Sequence, residues 1–419
     1  MRGSLLKRTV RTPRGMIHID IDMGQLSLAQ QVLQRQSEHA GAIGEHLDQY
    51  ARMTHRELGL ILMLFKPIGD AIVDAGVGVS NVSREASSLA AERMGQTVQA
   101  YQDAERRVRE LMTPVIRMLT GHPLPPYQPP TMPTLGDALD GAPSRYGEPD
   151  GNLFNQAFWD GYSMAEWADE TGGRLGDRVR SGLSASREVV ETSDASSFLP
   201  RPQGEDPEIE SIRWKAGPIF GGVDWIWEEL FGFSLLEEVT KPFVGDWERM
   251  REASQAWTHA GDAMDAISQN YMGLLPPLAV WQGKGSEMFL AASGVVSQAH
   301  AAVVGPAGMV STALTALVAA CKQAVGLILG FLEDLGYDLM LMAAMAAVPV
   351  AGWLVDAAVG AIKIMEWIGK AQKMYSLINI IYDLVSGMVG NVSSTVDTWF
   401  RMSDLYEGIV RAGAVRVGI

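Results

Sequence analysis

The chain has 419 residues, 47% of them hydrophobic, which is enough to bury the cores of two or more modest domains. Its 49 acidic residues outnumber 34 Lys and Arg and give a formal net charge of -15, which argues against binding to the phosphate backbone of nucleic acids. The single cysteine, Cys321, excludes an intrachain disulfide. None of the seven histidines has zinc-ligand spacing, so we expect no metal and no other cofactor.

The N-terminus is basic, but it does not resemble a Sec signal peptide. Asp20 and Asp22 interrupt the apolar residues that follow the basic ones, and no small-residue cleavage site appears. We expect residues 1–15 to form a flexible basic tail. The only period-two alternation is the short one at residues 17–21, so no further strand is predicted.

Residues 16–120 are predicted to form a hairpin of two helices. Apolar or small residues recur at spacings of three and four from residue 26 to residue 65, with polar Gln36 filling one slot of the pattern. Pro67 and several glycines then interrupt the periodicity, which resumes near Ser80 and continues to Val115. Two amphipathic helices separated in this way are expected to pack antiparallel.

Residues 121–215 have a different composition. Eleven of the 20 prolines lie between residues 121 and 210, together with many acids and glycines. This composition predicts a mobile, partly ordered linker that is rich in proline and acidic residues. One helix is expected at residues 153–170, and a weaker helical pattern runs from residue 175 to residue 191.

Residues 216–400 are predicted to form a second helical domain, followed by a tail at 401–419. A third helix begins near Asp246 and ends at Pro276, a fourth carries Phe289, and apolar helices continue to about residue 392. Residues 339–355 carry no charge, but they fall short of the roughly 20 residues of a membrane span and contain Pro349 and Gly352. We therefore interpret them as a buried helical hairpin.

The fold class is all-α. We expect two long helical hairpins packed as a four-helix bundle, with additional apolar C-terminal helices and the proline-rich linker between the hairpins. A hairpin whose single apolar face remained in water would be unstable, so each of the two faces needs a partner.

The turn of the second hairpin carries the motif Trp281-Gln282-Gly283. A glycine permits the backbone angles of a tight turn between helices, and the indole closes the end of the apolar seam. Phe289 returns to the core further along the fourth helix. An ordinary turn with a core tryptophan is the simpler alternative.

Tyr101 and Glu105 form a second motif, near the end of the second helix. The spacing of four residues places the ring and the carboxylate on one helix face. Tyr146 with Asp150 and Tyr162 with Glu166 match the same Tyr-x-x-x-acid pattern, so the position of Tyr101 after a hairpin is what distinguishes it. A core tyrosine beside a solvated acid is the simpler alternative.

These residues resemble two kinds of substrate of bacterial type VII (ESX) secretion systems. Residues 16–119 are similar to secreted hairpins whose export signal is Tyr-x-x-x-Asp/Glu after the second helix. Residues 219–400 resemble the extended Trp-x-Gly domains that lead actinobacterial secreted toxins and effectors. The resemblance implies that Tyr101 and Glu105 are the signal and that the system's ATPase and chaperone are partners. It also implies that the hairpin-turn motif consists of Trp281, Gly283 and Phe289.

We therefore predict a non-catalytic effector that is exported without a Sec signal peptide and is secreted or associated with the cell envelope. No toxin domain is recognised after about residue 392, and no nucleophile-base constellation supports a hydrolase. The leading alternative is a membrane-active, pore-forming effector that uses residues 308–392. Homo-oligomerisation and membrane contact stay open.

The packing of the two hairpins yields one geometric prediction. If they pack antiparallel, the turn of the second hairpin meets the open end of the first, and Trp281 should lie within roughly 15 Å of Tyr101, about one helix diameter plus side chains. The two motifs would then form one composite signal.

Overall fold

A computed structural model describes most of the two predicted helical regions and parts of the linker. Its described residues are 7–12, 15–20, 22–54, 63, 66–139, 188–204, 246–281, 284–346, 376, 379 and 383. They are mostly helical, which confirms the all-α class. The long helices are α1 (Met23–Tyr50), α2 (Lys66–Thr120), α3 (Trp247–Leu278) and α4 (Lys284–Ala346).

A small β-hairpin precedes α1. Strand β1 (Lys7–Thr12) pairs antiparallel with β2 (Gly15–Asp20), with Lys7 opposite Asp20 and Thr12 opposite Gly15. The sequence indicated only the alternation at residues 17–21, with a tail before it. A single strand leaves its backbone groups unpaired, and the preceding segment is the nearest chain that can pair with them.

Helices α1 and α2 have different bounds from those that the periodicity predicted. α1 begins at the N-cap Asp22, whose carboxylate accepts from the amide of Gly24 at 2.9 Å, and it ends at Tyr50 instead of residue 65. α2 begins at Lys66 instead of Ser80. The expected break at Pro67 is absent because a proline in the first helical turn has no amide bond to lose.

Gly76 explains why α2 also continues through the glycines that suggested a turn. A Cβ at residue 76 would lie 2.7 Å from Cη2 of Trp257 in α3, so the bare backbone leaves room for the indole. Glycine here therefore permits close helix packing and does not end the helix.

Helices α3 and α4 also differ in extent from the prediction. α3 starts at its N-cap Asp246 and runs through Pro276 to Leu278. α4 is one continuous helix of 63 residues, where several shorter apolar helices were expected. The turn predicted at Pro349 lies outside the described residues.

All four helices contribute to one hydrophobic cluster. Its most deeply buried large side chains come from α1, α3 and α4, and α2 adds further apolar residues, including Ile72 and Met94, and three buried serines. Side chains of the two hairpins bond directly: Ser87 of α2 lies 2.8 Å from the hydroxyl of Tyr271, and Ser83 lies 2.6 Å from Nε2 of His300. The first hairpin, α1 with α2, and the second, α3 with α4, therefore share a core.

Each hairpin contains one helix that is much longer than its partner. In the first, a Cβ at Gly95 of α2 would contact Gln30 of α1, so the start of α1 lies beside about residue 102 of α2. Residues 103–120, named here the α2 extension, continue past that point. In the second hairpin, Ser254 near the start of α3 bonds Thr315 of α4, which runs on to Ala346.

The described parts of the predicted linker run along the helices. Gln31 of α1 donates to the carbonyl of Pro133 at 2.9 Å, and the amide of Leu139 donates to the carbonyl of Glu191 at 2.9 Å. Residues 188–191, the end of the weak helix predicted from residue 175, are not helical. The helix predicted at 153–170 lies outside the described residues.

Candidate functional site

Trp281 closes the end of the core at the turn between α3 and α4. Its amide donates to the carbonyl of Leu278 at 3.0 Å, which fixes the start of the turn. The indole is 6% exposed, and its ring centroid lies 6.2 Å from that of Phe289. Ser286, buried in the first turn of α4, donates to the carbonyl of Trp281. The indole therefore has a fixed position.

The structure brings the two sequence motifs together. Nε1 of Trp281 donates to the hydroxyl oxygen of Tyr101 at 3.3 Å, across the boundary between the second hairpin and α2 of the first. This confirms the predicted proximity of the two residues. A nearly buried indole N–H needs a hydrogen-bond acceptor, and the tyrosine hydroxyl supplies one.

Glu105 lies one turn beyond Tyr101, where α2 leaves the core. Its carboxylate is half-buried and is near enough to Tyr127 to contribute to raising the pKa of that phenol, after the larger effect of burial. Tyr127 belongs to the segment that follows α2 and returns along it. Gly283, the remaining motif residue, lies outside the described residues, as do Tyr146 and Tyr162.

A buried polar network lies between the hairpins and a linker segment, and the sequence motifs did not indicate it. Asn270 of α3 accepts from the backbone amides of Thr192 and Ser193 at 2.9 and 3.0 Å, and it donates to Gln36 of α1 at 2.8 Å. Gln36 donates in turn to the buried carboxylate of Glu191 at 3.0 Å. The one available signal was a polar Gln36 in an otherwise apolar pattern.

Further partners complete the charge balance of this network. Arg35 pairs with Glu191, and His39 lies between Glu191 and Asp194 at 3.6 and 3.4 Å. Burial lowers the pKa of His39, although the two carboxylates oppose that shift. The side chain of Glu191 is completely buried, and a buried carboxylate is stable only when it is paired in this way.

Two more histidines lie between the hairpins. Burial lowers the pKa of His300 to about 4, and its Nδ1 donates to the carbonyl of Val296 at 2.7 Å. Nε2 of the neutral ring therefore accepts from Ser83. Burial, and to a lesser degree the neighbouring His259, lowers the pKa of His46 on α1 to about 4, and the ring centroids of His46 and His259 are 5.5 Å apart. His300 and His46 are therefore neutral at pH 7.

One stretch among the described residues, Gly285–Ala320 of α4, is long and apolar enough to cross a membrane. The most apolar 18 residues of this stretch have a mean hydropathy of 1.7, and 33% of them are buried inside the structure. A core helix passes the same test, and Leu290 of this stretch is completely buried in the shared core. Length and composition are therefore weak support for membrane insertion.

The comparisons with known proteins give no match. No protein-family model, no curated protein and no solved structure is similar to the chain. Among the described residues, no group of three or more His, Cys, Asp and Glu is placed to hold a metal ion.

Proposed function

We propose that this chain is a type VII (ESX) secretion substrate whose export signal combines Tyr101 and Glu105 with the Trp281 turn. The single observation that carries the proposal is the hydrogen bond from Trp281 to Tyr101 at 3.3 Å. It joins the two motifs that the resemblance identified, although 180 positions separate them in the chain. The protein acts by binding other proteins or the cell envelope, without catalysis.

The proposed architecture is a four-helix bundle within one chain. The contacts between Ser83 and His300 and between Ser87 and Tyr271 support it, because they join α2 to both helices of the second hairpin. In this arrangement the signal is complete only when the hairpins have packed together. A system that recognises the complete signal would export folded chains and leave unfolded ones.

An export assay tests this proposal with substitutions that each change one functional group. Tyr101→Phe removes the hydroxyl that accepts from the indole, and Glu105→Gln removes the charge of the adjacent carboxylate while keeping its shape. We expect each substitution to lower the secreted fraction by roughly tenfold, as loss of one charged or hydrogen-bonded recognition contact does. Tyr146→Phe and Tyr162→Phe are matched controls and should be exported normally.

Secretion of both Tyr101→Phe and Glu105→Gln at the wild-type level, with unchanged accumulation in cells, would overturn the export assignment. Trp281→Phe adds a second arm, since it keeps an aromatic ring and removes only the N–H donor. It should reduce export as Tyr101→Phe does, and the double variant should be no worse than either single one if the two residues act as a unit.

Pore formation by the apolar helices is the second candidate function. Gly285–Ala320 of α4, with its mean hydropathy of 1.7, is the observation that favours it. Dye release from vesicles by the purified full-length chain separates the candidates. Release that Met309→Glu abolishes would support the pore, because Met309 is a half-exposed residue within that stretch. If the vesicles retain their dye, the apolar stretch of α4 is an ordinary core helix.

A further inference from the structure

The α2 extension presents an apolar stripe to solvent. Leu111 is 73% exposed, Met118 is 88% exposed and Leu119 is 76% exposed. Val108, Met112 and Val115 are also exposed. Exposed apolar residues are common singly, but a contiguous group of large ones on one helix indicates a binding surface.

These residues share one face of the helix. Successive residues of an α-helix rotate by about 100°, so positions 108, 111, 112, 115, 118 and 119 fall within an arc of about 120°. Tyr127 returns along a different face, near Glu105 and Arg106. The returning segment therefore leaves the stripe uncovered, and the extension is amphipathic without a described neighbour on its apolar side.

The outer part of the α2 extension, which carries the stripe, is basic, in contrast to the whole chain. Residues 106–120 include four arginines and one acid, Glu110, whereas the chain as a whole carries a net charge of -15. The first residues of the extension add two acids, Asp103, which pairs with Arg106, and Glu105. Arg107 and Arg109 lie on either side of the stripe by helical rotation. A helix with an apolar face bordered by arginines has the pattern of a segment that binds an anionic lipid surface.

The end of the α2 extension lies too far from the acidic body of the protein to be affected strongly by its charges. Its 18 positions span about 27 Å at 1.5 Å per residue, and the Debye length at physiological ionic strength is about 8 Å. Charges on the bundle are therefore largely screened at the end of α2. Repulsion between the acidic body and an anionic surface does not prevent the tip from approaching that surface.

We propose that the α2 extension is a docking surface for anionic phospholipid bilayers, with the stripe entering the interface and the arginines contacting headgroups. Charge complementarity selects this occupant. A second copy bound symmetrically through the same stripe would bring two basic helices together, which is unfavourable. The proposal is independent of the export signal, because it concerns residues beyond Glu105 and the purified protein.

Vesicle flotation with the full-length chain tests the proposal. Vesicles of phosphatidylglycerol mixed with phosphatidylcholine should bind the protein, whereas phosphatidylcholine alone should bind at least about tenfold less. Raising the salt from 0.1 to 0.5 M should weaken binding, as screening requires. The double variant Leu111→Glu with Met118→Glu should lose about tenfold of the bound fraction, and Arg107→Gln should lose less.

Two matched variants keep the result interpretable. Met309→Glu places one glutamate on an exposed apolar residue of α4 and should bind vesicles like wild type. Tyr101→Phe should also bind normally, even if its export fails. Circular dichroism should show unchanged helicity for Leu111→Glu with Met118→Glu, because both positions are exposed.

Three results would overturn the proposal. Equal binding to neutral and anionic vesicles would remove its electrostatic basis. If Met309→Glu abolishes binding and Leu111→Glu with Met118→Glu does not, the membrane contact belongs to α4. Absence of binding to any vesicle would leave the stripe to a protein partner with an acidic groove.

Discussion

The contacts between the two hairpins are fully buried, whereas the contacts around Tyr101 are partly exposed to water. Asn270 and His300 are fully buried, whereas Tyr101 and Glu105 are half-buried beside a helix that continues into solvent. A buried polar group that loses its partner finds no water to replace it, but a half-exposed group does. Substitutions between the hairpins should therefore lower the free energy of unfolding, and substitutions around Tyr101 should change recognition by the export system.

Trp281 belongs to both regions, and Trp281→Ala should have the largest effect. Truncation removes a nearly buried indole together with its contact to Phe289. We expect the free energy of unfolding to fall by roughly 3–5 kcal/mol, as for other buried aromatic residues cut to alanine. Urea denaturation measures it, and Trp281→Phe should lose less than half as much. A loss under about 1 kcal/mol for Trp281→Ala would show that the indole does not close the core.

Asn270→Ala tests the interior network directly. The variant would leave the amides of Thr192 and Ser193 and the side-chain oxygen of Gln36 without their partner. We expect a loss of roughly 2–4 kcal/mol in the free energy of unfolding, because several buried groups become unsatisfied at once. Gln269→Ala is the control, since Gln269 is half-buried and donates to Asp265 of its own helix. Equal losses for the two variants would contradict the network.

Periodicity predicts which residues face inward, and this is why the helical class and the buried helix faces could be predicted from the sequence. The proximity of Trp281 and Tyr101 followed because two apolar faces that must cover each other leave few ways to align the turn with the open end. The helix bounds could not be read in the same way. Gly76 resembles a helix breaker until Trp257 is known to occupy the space of its missing side chain.

The interior network also lay beyond sequence reasoning. Gln36 is separated from Asn270 by 234 positions and from Glu191 by 155, so no local pattern joins them. The sequence predicts Glu191 only as the end of a weak helical pattern from residue 175, and that pattern does not indicate burial of its carboxylate. Its burial depends on Arg35 and Gln36, which belong to a different element. Long-range pairing of polar groups has no periodic signature.

Acidification should weaken the interior contacts through His300. The unfolded chain takes up a proton near pH 6.5, whereas burial holds the folded-state pKa at about 4. The unfolded state therefore binds more protons between these values, and stability falls as the pH drops below about 6.5. We expect a loss of about 1 kcal/mol from this group between pH 7.5 and pH 5.5.

The variant His300→Gln isolates this effect, because its amide accepts from Ser83 and does not titrate. Its unfolding free energy should decline less with acid than that of wild type, whatever its value at pH 7.5. His122→Gln, at an exposed position, should keep the wild-type slope. Identical slopes for all three proteins would show that His300 is not held neutral by the fold.

Tyr101→Phe should have the smallest effect on stability and a large effect on export. The ring stays in place beside Trp281, and only the hydroxyl that accepts from the indole is lost. A neutral hydrogen bond of 3.3 Å at a half-buried position contributes little net free energy, so we expect a loss of under about 1 kcal/mol in urea denaturation. If export falls roughly tenfold at this stability, the hydroxyl serves recognition and not folding. If instead stability falls by as much as in Trp281→Ala, the Tyr101 end is part of the core, and the distinction between the two regions fails.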